Sequence, residues 1–281
     1  MTEAFVVDIG GTKTTAALVG KVNSDIKVLN KTSFSTFSNP VDEIKKINEI
    51  YLTCKNTDCL TLSLPGKWNS EGVLNESYFL KSWIDYPFIK NLVSSIGIKK
   101  YIFETDVICG ALGEYYSRGC KGKSMLYLNL GTGIGAAYID QNGQPFKPSK
   151  SPGLRLQKLL YPYDDELFPA VDLISGGMLG EISGFQSVET LFDEYKNGNV
   201  KAIDVISKSQ LQLASWLINL FYLFGPDLIV LNGGLVQNFE VVAEEAIDIA
   251  KEEIGDEIEI LPSLLNDLAP VYGAYVNLMT N

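Results

Sequence analysis

The spacing of apolar and polar positions changes along the chain. Val6-Val7 lead into Asp8-Ile9-Gly10-Gly11-Thr12-Lys13-Thr14-Thr15, after which Ala16-Ala17-Leu18-Val19 resume the apolar run. Two apolar runs around a polar tip with paired glycines predict a tight β-hairpin over residues 4–19. Lys27–Thr36 alternates well enough to add a third strand, and Asn39-Pro40 opens a helix over Val41–Leu52. Cys59–Leu64 reads as a short buried strand that stops at Pro65-Gly66. The order β-β-β-α-β differs from the alternating βα units of a dinucleotide-binding fold. Residues 67–87 are loop-rich, Pro87–Ser95 is helical, Lys100–Phe103 is a strand, and Val107–Tyr116 is a helix.

The second half repeats the opening design. Met125–Leu130 is apolar, Gly131-Thr132-Gly133 is a turn, and Ile134–Ile139 is apolar again. Two such hairpins about 120 residues apart predict two related halves, each offering one turn to a shared ligand. Gln141–Asp165 reads as a long loop, and Leu173–Glu181 as a weak helix. Val188–Tyr195 and Val200–Phe224 are stronger helices. Leu228–Leu231 is a buried strand running into Asn232-Gly233-Gly234, with a helix over Val236–Ile254 after it. Glu257–Leu261 is a last strand, and a helix begins at Pro270.

Composition narrows the chemistry. At 281 residues and 46% hydrophobic, the chain can build two lobes with sizeable cores. No apolar run is long enough to span a membrane, and no basic-then-apolar leader opens the chain, which points to a cytoplasmic protein. A net charge of −11 disfavours nucleic acid and anionic membranes as partners. An anionic nucleotide would then need a site built locally from backbone N–H groups, Lys and a metal. Cys54, Cys59, Cys109 and Cys120 form no C-x-x-C pair and read as reduced thiols. The chain contains no His, so Ser–His hydrolysis, His metal sites and His acid–base chemistry are excluded.

Each candidate feature has a plain structural reading beside its functional one. Gly10 and Gly11 free the backbone of the first turn to present N–H groups, with Thr12, Lys13 and Thr14 as further donors; the same pattern also makes an ordinary hairpin. Asp8 stands where it could hold a metal or its water. Trp68 and Trp83 in the 67–87 loop could stack on a sugar face or pack in the core. Asp106 either caps the following helix or points a carboxylate out from the end of a strand. Gly233-Gly234 brings bare backbone close to a flat ligand such as adenine or ribose, a turn also common in α/β proteins.

With three glycine turns in this order, the chain resembles the ROK family of sugar kinases and the wider actin, Hsp70 and hexokinase-type ATPase group. Asp8-Ile-Gly-Gly-Thr-Lys-Thr14 is similar to the family's first phosphate motif, Leu130-Gly-Thr-Gly-Ile-Gly135 to its second, and Pro226–Gly234 to its adenosine motif. Leu64-Pro-Gly66 with Trp83-Ile-Asp-Tyr-Pro87 looks like its sugar-loop region, and Thr105-Asp106 stands where it has Asn-Asp. The resemblance implies a two-lobed α/β fold, ribonuclease H-like, with mixed sheets and duplicated β-β-β-α-β lobes around a cleft. Residues 1–105 with helix 269–281 would form one lobe and residues 106–268 the other, hinged near 105 and 268.

It also implies ATP-dependent phosphorylation of a sugar hydroxyl. Asp106 would be the general base and Asp8 the holder of Mg²⁺. Gly10, Gly11, Thr12, Lys13 and Thr14 would contact phosphate from one lobe, and Gly131, Thr132 and Gly133 from the other. Gly233 and Gly234 would border adenosine, while Pro65, Gly66, Thr105, Asp106 and Arg155 would meet the substrate. A homodimer is the expected assembly.

The departures lie on the acceptor side. The family's Glu-x-Gly-His segment is replaced by Pro152-Gly-Leu-Arg-Leu-Gln157, its Cys/His zinc motif is missing from Glu181–Ser187, and Phe79-Leu-Lys-Ser82 precedes Trp83 without the usual Asn. A hexose or amino sugar is the default acceptor. Arg155, Lys158 and Lys67 would alternatively suit an acidic sugar such as a 2-keto-3-deoxy sugar acid, or are solvated loop cations. A non-catalytic sugar or nucleotide sensor is the contrasting class; retention of both Asp8 and Asp106 weighs for an enzyme.

Overall fold

The computed structural model describes residues 3–23, 25–54, 57–149, 153–163, 165–176, 179, 183–255 and 258–280. Residues 1–119, 147–152 and 267–281 form one compact unit, and residues 120–146 and 153–266 form the other.

The first unit is built on a five-stranded sheet. Its strands are β1 (Ala4–Ile9), β2 (Lys13–Val22), β3 (Asp25–Ser35), β4 (Cys59–Leu64) and β7 (Lys100–Thr105), in the order β3-β2-β1-β4-β7. β1, β2 and β3 are antiparallel neighbours, whereas β4 and β7 run parallel to β1. The expected β-β-β-α-β order is therefore present. The helix between β3 and β4, Pro40–Thr53, starts where Asn39 accepts a hydrogen bond from the Val41 N–H and Pro40 supplies a preset φ. Its buried Ile44, Ile47 and Ile50 pack on one face of the sheet, with Phe5, Val7 and Ile9.

The other face carries two helices, Asp106–Ser117 and Ala269–Thr280. They approach so closely that a Cβ on Gly273 would lie 1.6 Å from the Cys109 carbonyl oxygen, and one on Gly113 would lie 2.3 Å from that of Ala269. This packing puts the Asp106–Ser117 helix in the first unit, so the division falls near residue 119 and not at 105. Ala4, Val6, Ala17 and Val19 meet Cys109, Val271, Ala274 and Tyr275 there.

The 67–87 stretch is more ordered than a loop. β5 (Lys67–Trp68) pairs with β6 (Leu74–Glu76), and a 3-10 turn spans Lys81–Trp83. Trp83 is fully buried, stacks on Phe88 at 4.5 Å and donates from Nε1 to the Phe37 and Ser38 carbonyls. Trp68 is partly buried and donates to the Pro65 carbonyl at 2.9 Å. Both tryptophans fasten the segment to the core.

The second unit has a four-stranded sheet, β13-β12-β8-β9, from β8 (Met125–Leu130), β9 (Ile134–Ile139), β12 (Leu228–Asn232) and β13 (Glu259–Pro262). An antiparallel hairpin beside parallel strands repeats the first unit's plan. Val200–Phe224 is one 25-residue helix, closed by Gly225 in the left-handed region. Two expectations change here. The 141–165 stretch is not all loop, since β10 (Leu160–Tyr163) pairs with β11 (Glu166–Pro169) as a separate hairpin. The helix expected over 236–254 is broken into a 3-10 turn at Gly234–Asn238, a short helix at Phe239–Val242 and a helix at Glu244–Ile254. Asn238 lies at φ −103, ψ 52, outside helical backbone. The helix expected over 173–181 is Ala170–Ile174; residues 177, 178 and 180–182 lie outside the described residues, as do Pro152 and Glu257.

Gly273→Ala is expected to lower the thermal midpoint of the first unit, because both contacting groups are main chain and cannot yield. Overpacking of this kind costs about 3 kcal/mol. An unchanged midpoint in differential scanning calorimetry would contradict the close packing.

Candidate active site

In parallel register, Asp8 on β1 lies opposite Ser63 on β4, and Ser63 opposite Glu104 on β7. The three side chains therefore form one row near the carboxyl ends of the strands, where open α/β sheets bind ligands. Ser63 Oγ donates to Asp8 Oδ1 at 2.6 Å. Asp106 follows β7 directly, and its Oδ1 accepts from the Val107 N–H at 2.8 Å. Asp106 thus sits in the first turn of a helix and is at the same time partly exposed at the strand end.

Burial dominates the electrostatics of this row. It pushes the Asp8 carboxyl up to about 7; the Ser63 hydrogen bond opposes the shift, and the negative charge of Asp106 adds to it. Burial likewise pushes Asp106 up to about 6, against the backbone N–H groups that favour its anion. The Cys109 thiol below them is raised as well, first by burial and then by Glu104 and Asp8. Glu104 has its own counter-ion in Lys147 and also accepts from the Thr105 N–H at 2.8 Å. Thr105 Oγ1 is buried beside Asp106 with no hydrogen-bond partner among the described residues.

The turn after β1 is fastened from below. Gly10 N–H donates to the Lys13 carbonyl at 2.8 Å, and Thr36 binds the turn through Oγ1 to the Gly10 carbonyl and N–H to the Thr12 carbonyl. Thr14 is fully buried, and its hydroxyl donates to Glu43 at 2.5 Å. Thr14 thus supports the turn from beneath. Glu43 also accepts from the Phe37 N–H, and burial raises its carboxyl. Among the described residues, the N–H groups of Gly11 and Thr12 donate to no protein acceptor. Lys13 is exposed and paired with Asp267 at 2.7 Å. Pro65 is buried, and Gly66 at φ +92 has the Glu76 carbonyl where a Cβ would point.

In the second unit, Gly131 N–H closes its turn on the Gly133 carbonyl at 2.9 Å, while Gly176 N–H donates to the Gly131 carbonyl. Gly233 at φ +103 lies against Leu130, whose carbonyl oxygen would be 2.3 Å from a Cβ. These contacts bring the turn after β8 and the turn after β12 to one cavity of about 560 Å³. Gly131, Thr132, Gly176, Gly234 and Leu235 line it, with Gln186, Glu189 and Gln237. The helix Val188–Lys196 presents its amino end there, capped by Ser187 accepting from the Thr190 N–H. Arg155 and Lys158 belong to this second unit and are exposed, whereas Asp106 belongs to the first.

Ser63, Thr36 and Glu43, and the two glutamines of the cavity, were not among the expected site residues. Ser63, Thr36 and Glu43 are singled out by hydrogen bonds to the turn and to Asp8, and the glutamines by the cavity they line.

Two units that each set a glycine hairpin beside parallel strands have the actin-like ATPase architecture. The chain belongs to the ROK family, whose model matches residues 4–149. It is 25% identical to an uncharacterised protein of Clostridium perfringens over 98% of this chain and 97% of that one. It is 22% identical to a glucokinase of Thermotoga maritima, over 95% and 94%. Among solved structures, a ROK family protein of Streptococcus pneumoniae in complex with sucrose superposes with a TM-score of 0.83 at 26% identity, covering 99% of this chain and 98% of the other. A ROK hexokinase of Thermus thermophilus gives a TM-score of 0.83 at 21% identity with full coverage of both chains.

The raised carboxyls predict a pH-dependent cost. Asp8 binds its proton more tightly folded than unfolded, so its stabilising contribution is present below the unfolded value of 3.8 and is lost as pH rises through about 7. Asp8→Asn should therefore stabilise the ligand-free protein by on the order of 2–4 kcal/mol near pH 8, and much less near pH 4.5. Urea titrations at both pH values measure the difference; an equal gain at both would remove burial as the cause.

Proposed function

We propose that the protein transfers the terminal phosphate of ATP to a hydroxyl of a sugar or sugar derivative, with Asp106 as general base. One observation carries this reading: a partly buried carboxyl at the end of β7, raised by burial to about 6, held by the Val107 N–H and with its charge felt by Asp8. Such a group takes a proton readily when a hydroxyl presents one. In the transfer, the hydroxyl proton passes to Asp106, the hydroxyl oxygen bonds to the terminal phosphorus, and the bond to the ADP oxygen breaks. The names of the relatives, glucokinase and hexokinase, support the same class.

The residues present fit a magnesium nucleotide. The cavity beside Gly131 and Gly234 has the volume of a small-ligand site, and glycine turns with a helix amino end favour phosphate. No cluster of three ligating side chains exists among the described residues. A cation carried in by the phosphates is assigned to one carboxylate, that of Asp8, through water. When bound, the cation supplies charge neutralisation at the phosphates. Gly11, Thr12 and Lys13 are assigned to phosphate in the first unit, and Gly131, Thr132 and Gly133 in the second. Thr105, Pro65 and Gly66 are assigned to the acceptor, whose default class is a neutral hexose or amino sugar.

Asp106→Asn keeps the bond to the Val107 N–H and removes the base. It is expected to lower kcat by about 10²–10⁴-fold. In the wild type, kcat/KM should rise as pH increases through about 6 and then level off, as the base ionises. The check is an ATP-consumption assay over hexoses, amino sugars and sugar acids; turnover surviving in Asp106→Asn, or no transfer to any acceptor, would overturn the assignment.

A further inference from the structure

The two tryptophans of the 67–87 segment are spent on the core, yet the same segment leaves two other rings in solvent. Tyr78 is 79% exposed and Phe79 48% exposed. They stand edge to face, 86° apart with centroids at 5.1 Å, and Lys81 Nζ lies 5.4 Å from the centre of the Tyr78 ring. The bend that carries them is anchored on both sides. Ser77 Oγ accepts from the Leu80 N–H at 3.1 Å, Leu80 is buried, and Trp83 is buried three residues on. The backbone that carries these rings is therefore anchored on both sides.

Their position is set by a second contact. A Cβ on Gly11 would lie 2.5 Å from Phe79 Cγ, so the ring rests on the bare backbone of the turn after β1. On the other side, Gly66 packs under Glu76 and Ser77, whose carbonyl oxygen and Cβ would be 2.5 Å and 3.0 Å from a Cβ there. The 76–79 segment thus bridges the Gly10–Gly11 turn and the Pro65–Gly66 turn. Gly11 is three residues beyond Asp8, which feels the charge of Asp106. A single exposed aromatic residue on a surface means little. Phe79 packed on the turn that carries free N–H groups, with Tyr78 edge to face beside it and Lys81 Nζ over the Tyr78 ring, leaves exposed ring surface for a flat apolar group.

We propose that Tyr78 and Phe79 are the acceptor-selecting residues of this protein, a stacking surface for a sugar that carries an aryl substituent. The inference rests on the proposed transfer to a sugar. The hydroxyls of a free hexose would find little to bond on these two ring faces. An aryl glycoside lays its ring on Phe79 or Tyr78 and leaves its hydroxyls to the polar row at Asp106 and Thr105. Lys81, over the Tyr78 ring, favours substituents with an electron-rich ring or an oxygen within its reach.

Three pairs of probes test it: glucose, mannose and N-acetylglucosamine, each against its phenyl glycoside. Calorimetric titration without nucleotide reads binding, and ATP consumption reads transfer. At least one phenyl glycoside should bind about tenfold more tightly than its parent sugar. Tyr78→Ala and Phe79→Ala should each remove most of that preference, and Phe79→Trp should restore it. In turnover, the loss should fall on KM for the glycoside, with kcat largely kept. Phenyl glycosides that bind no better than the free sugars, or a preference that survives both alanine variants, would overturn the proposal. A preference without transfer to any probe would leave the stacking surface standing and remove the kinase reading. Transfer to free sugars with no gain from the phenyl group would do the reverse.

Discussion

The hydrogen bond from Ser63 to Asp8 fixes where the charge of this protein's site can lie. It runs between neighbouring parallel strands, so it exists only in the register that pairs Asp8 with Ser63. A shift of one residue would turn Asp8 into the opposite face, among Phe5, Val7 and Ile9. In its own register, Asp8 shares a row with Glu104 and feels Asp106, and burial keeps both Asp8 and Asp106 close to neutrality. Each carboxyl buried in this way costs the fold stability once it ionises. The proposed cation and acceptor hydroxyl would offset that cost, as ligands do for locally unfavourable groups in active sites.

Backbone geometry is the second constraint. The turn after β1 presents N–H groups only because its carbonyls are already taken. Thr36 satisfies those of Gly10 and Thr12, and Glu43 holds Thr14 beneath them. A buried acid therefore serves the site without touching it. In the second unit the same end is reached by approach, with Gly233 laid on Leu130 and Gly176 bonded to Gly131. The units share a plan and differ in how each turn is braced.

Much of this was legible in the pattern of residues, and the limits of legibility have physical causes. Apolar runs broken by Gly-Gly or Gly-Thr-Gly fixed both hairpins, since strand period and turn chemistry are local. The Asp8–Ser63 row was not legible, because parallel pairing joins residues 55 apart in sequence. Trp83 was ambiguous for a related reason: a loop tryptophan declares itself core only when Phe88 and the Phe37 carbonyl are seen around it. The β10–β11 hairpin was hidden by Pro162, a residue that argues against a strand until the strand proves to be one of a lone pair. The long helix expected after Gly234 failed at Asn238, where local apolar content outweighed a residue that competes for backbone hydrogen bonds.

The acidity of the chain bears on how an anion could be held at all. With a net charge of −11, long-range attraction does not help a polyphosphate. What remains is local. Lys13 is paired with Asp267, but both side chains are more than half exposed, and such a surface pair contributes only about 0–1 kcal/mol. A phosphate that displaced Asp267 would meet a charge-assisted hydrogen bond worth about 1.5–3 kcal/mol. The exchange favours the ligand, and it leaves Asp267, which also raises the Asp8 carboxyl, free to move away from the row. The pairing of Lys13 in the ligand-free chain is therefore compatible with a phosphate role, since it holds the ammonium near the turn and releases it at little cost.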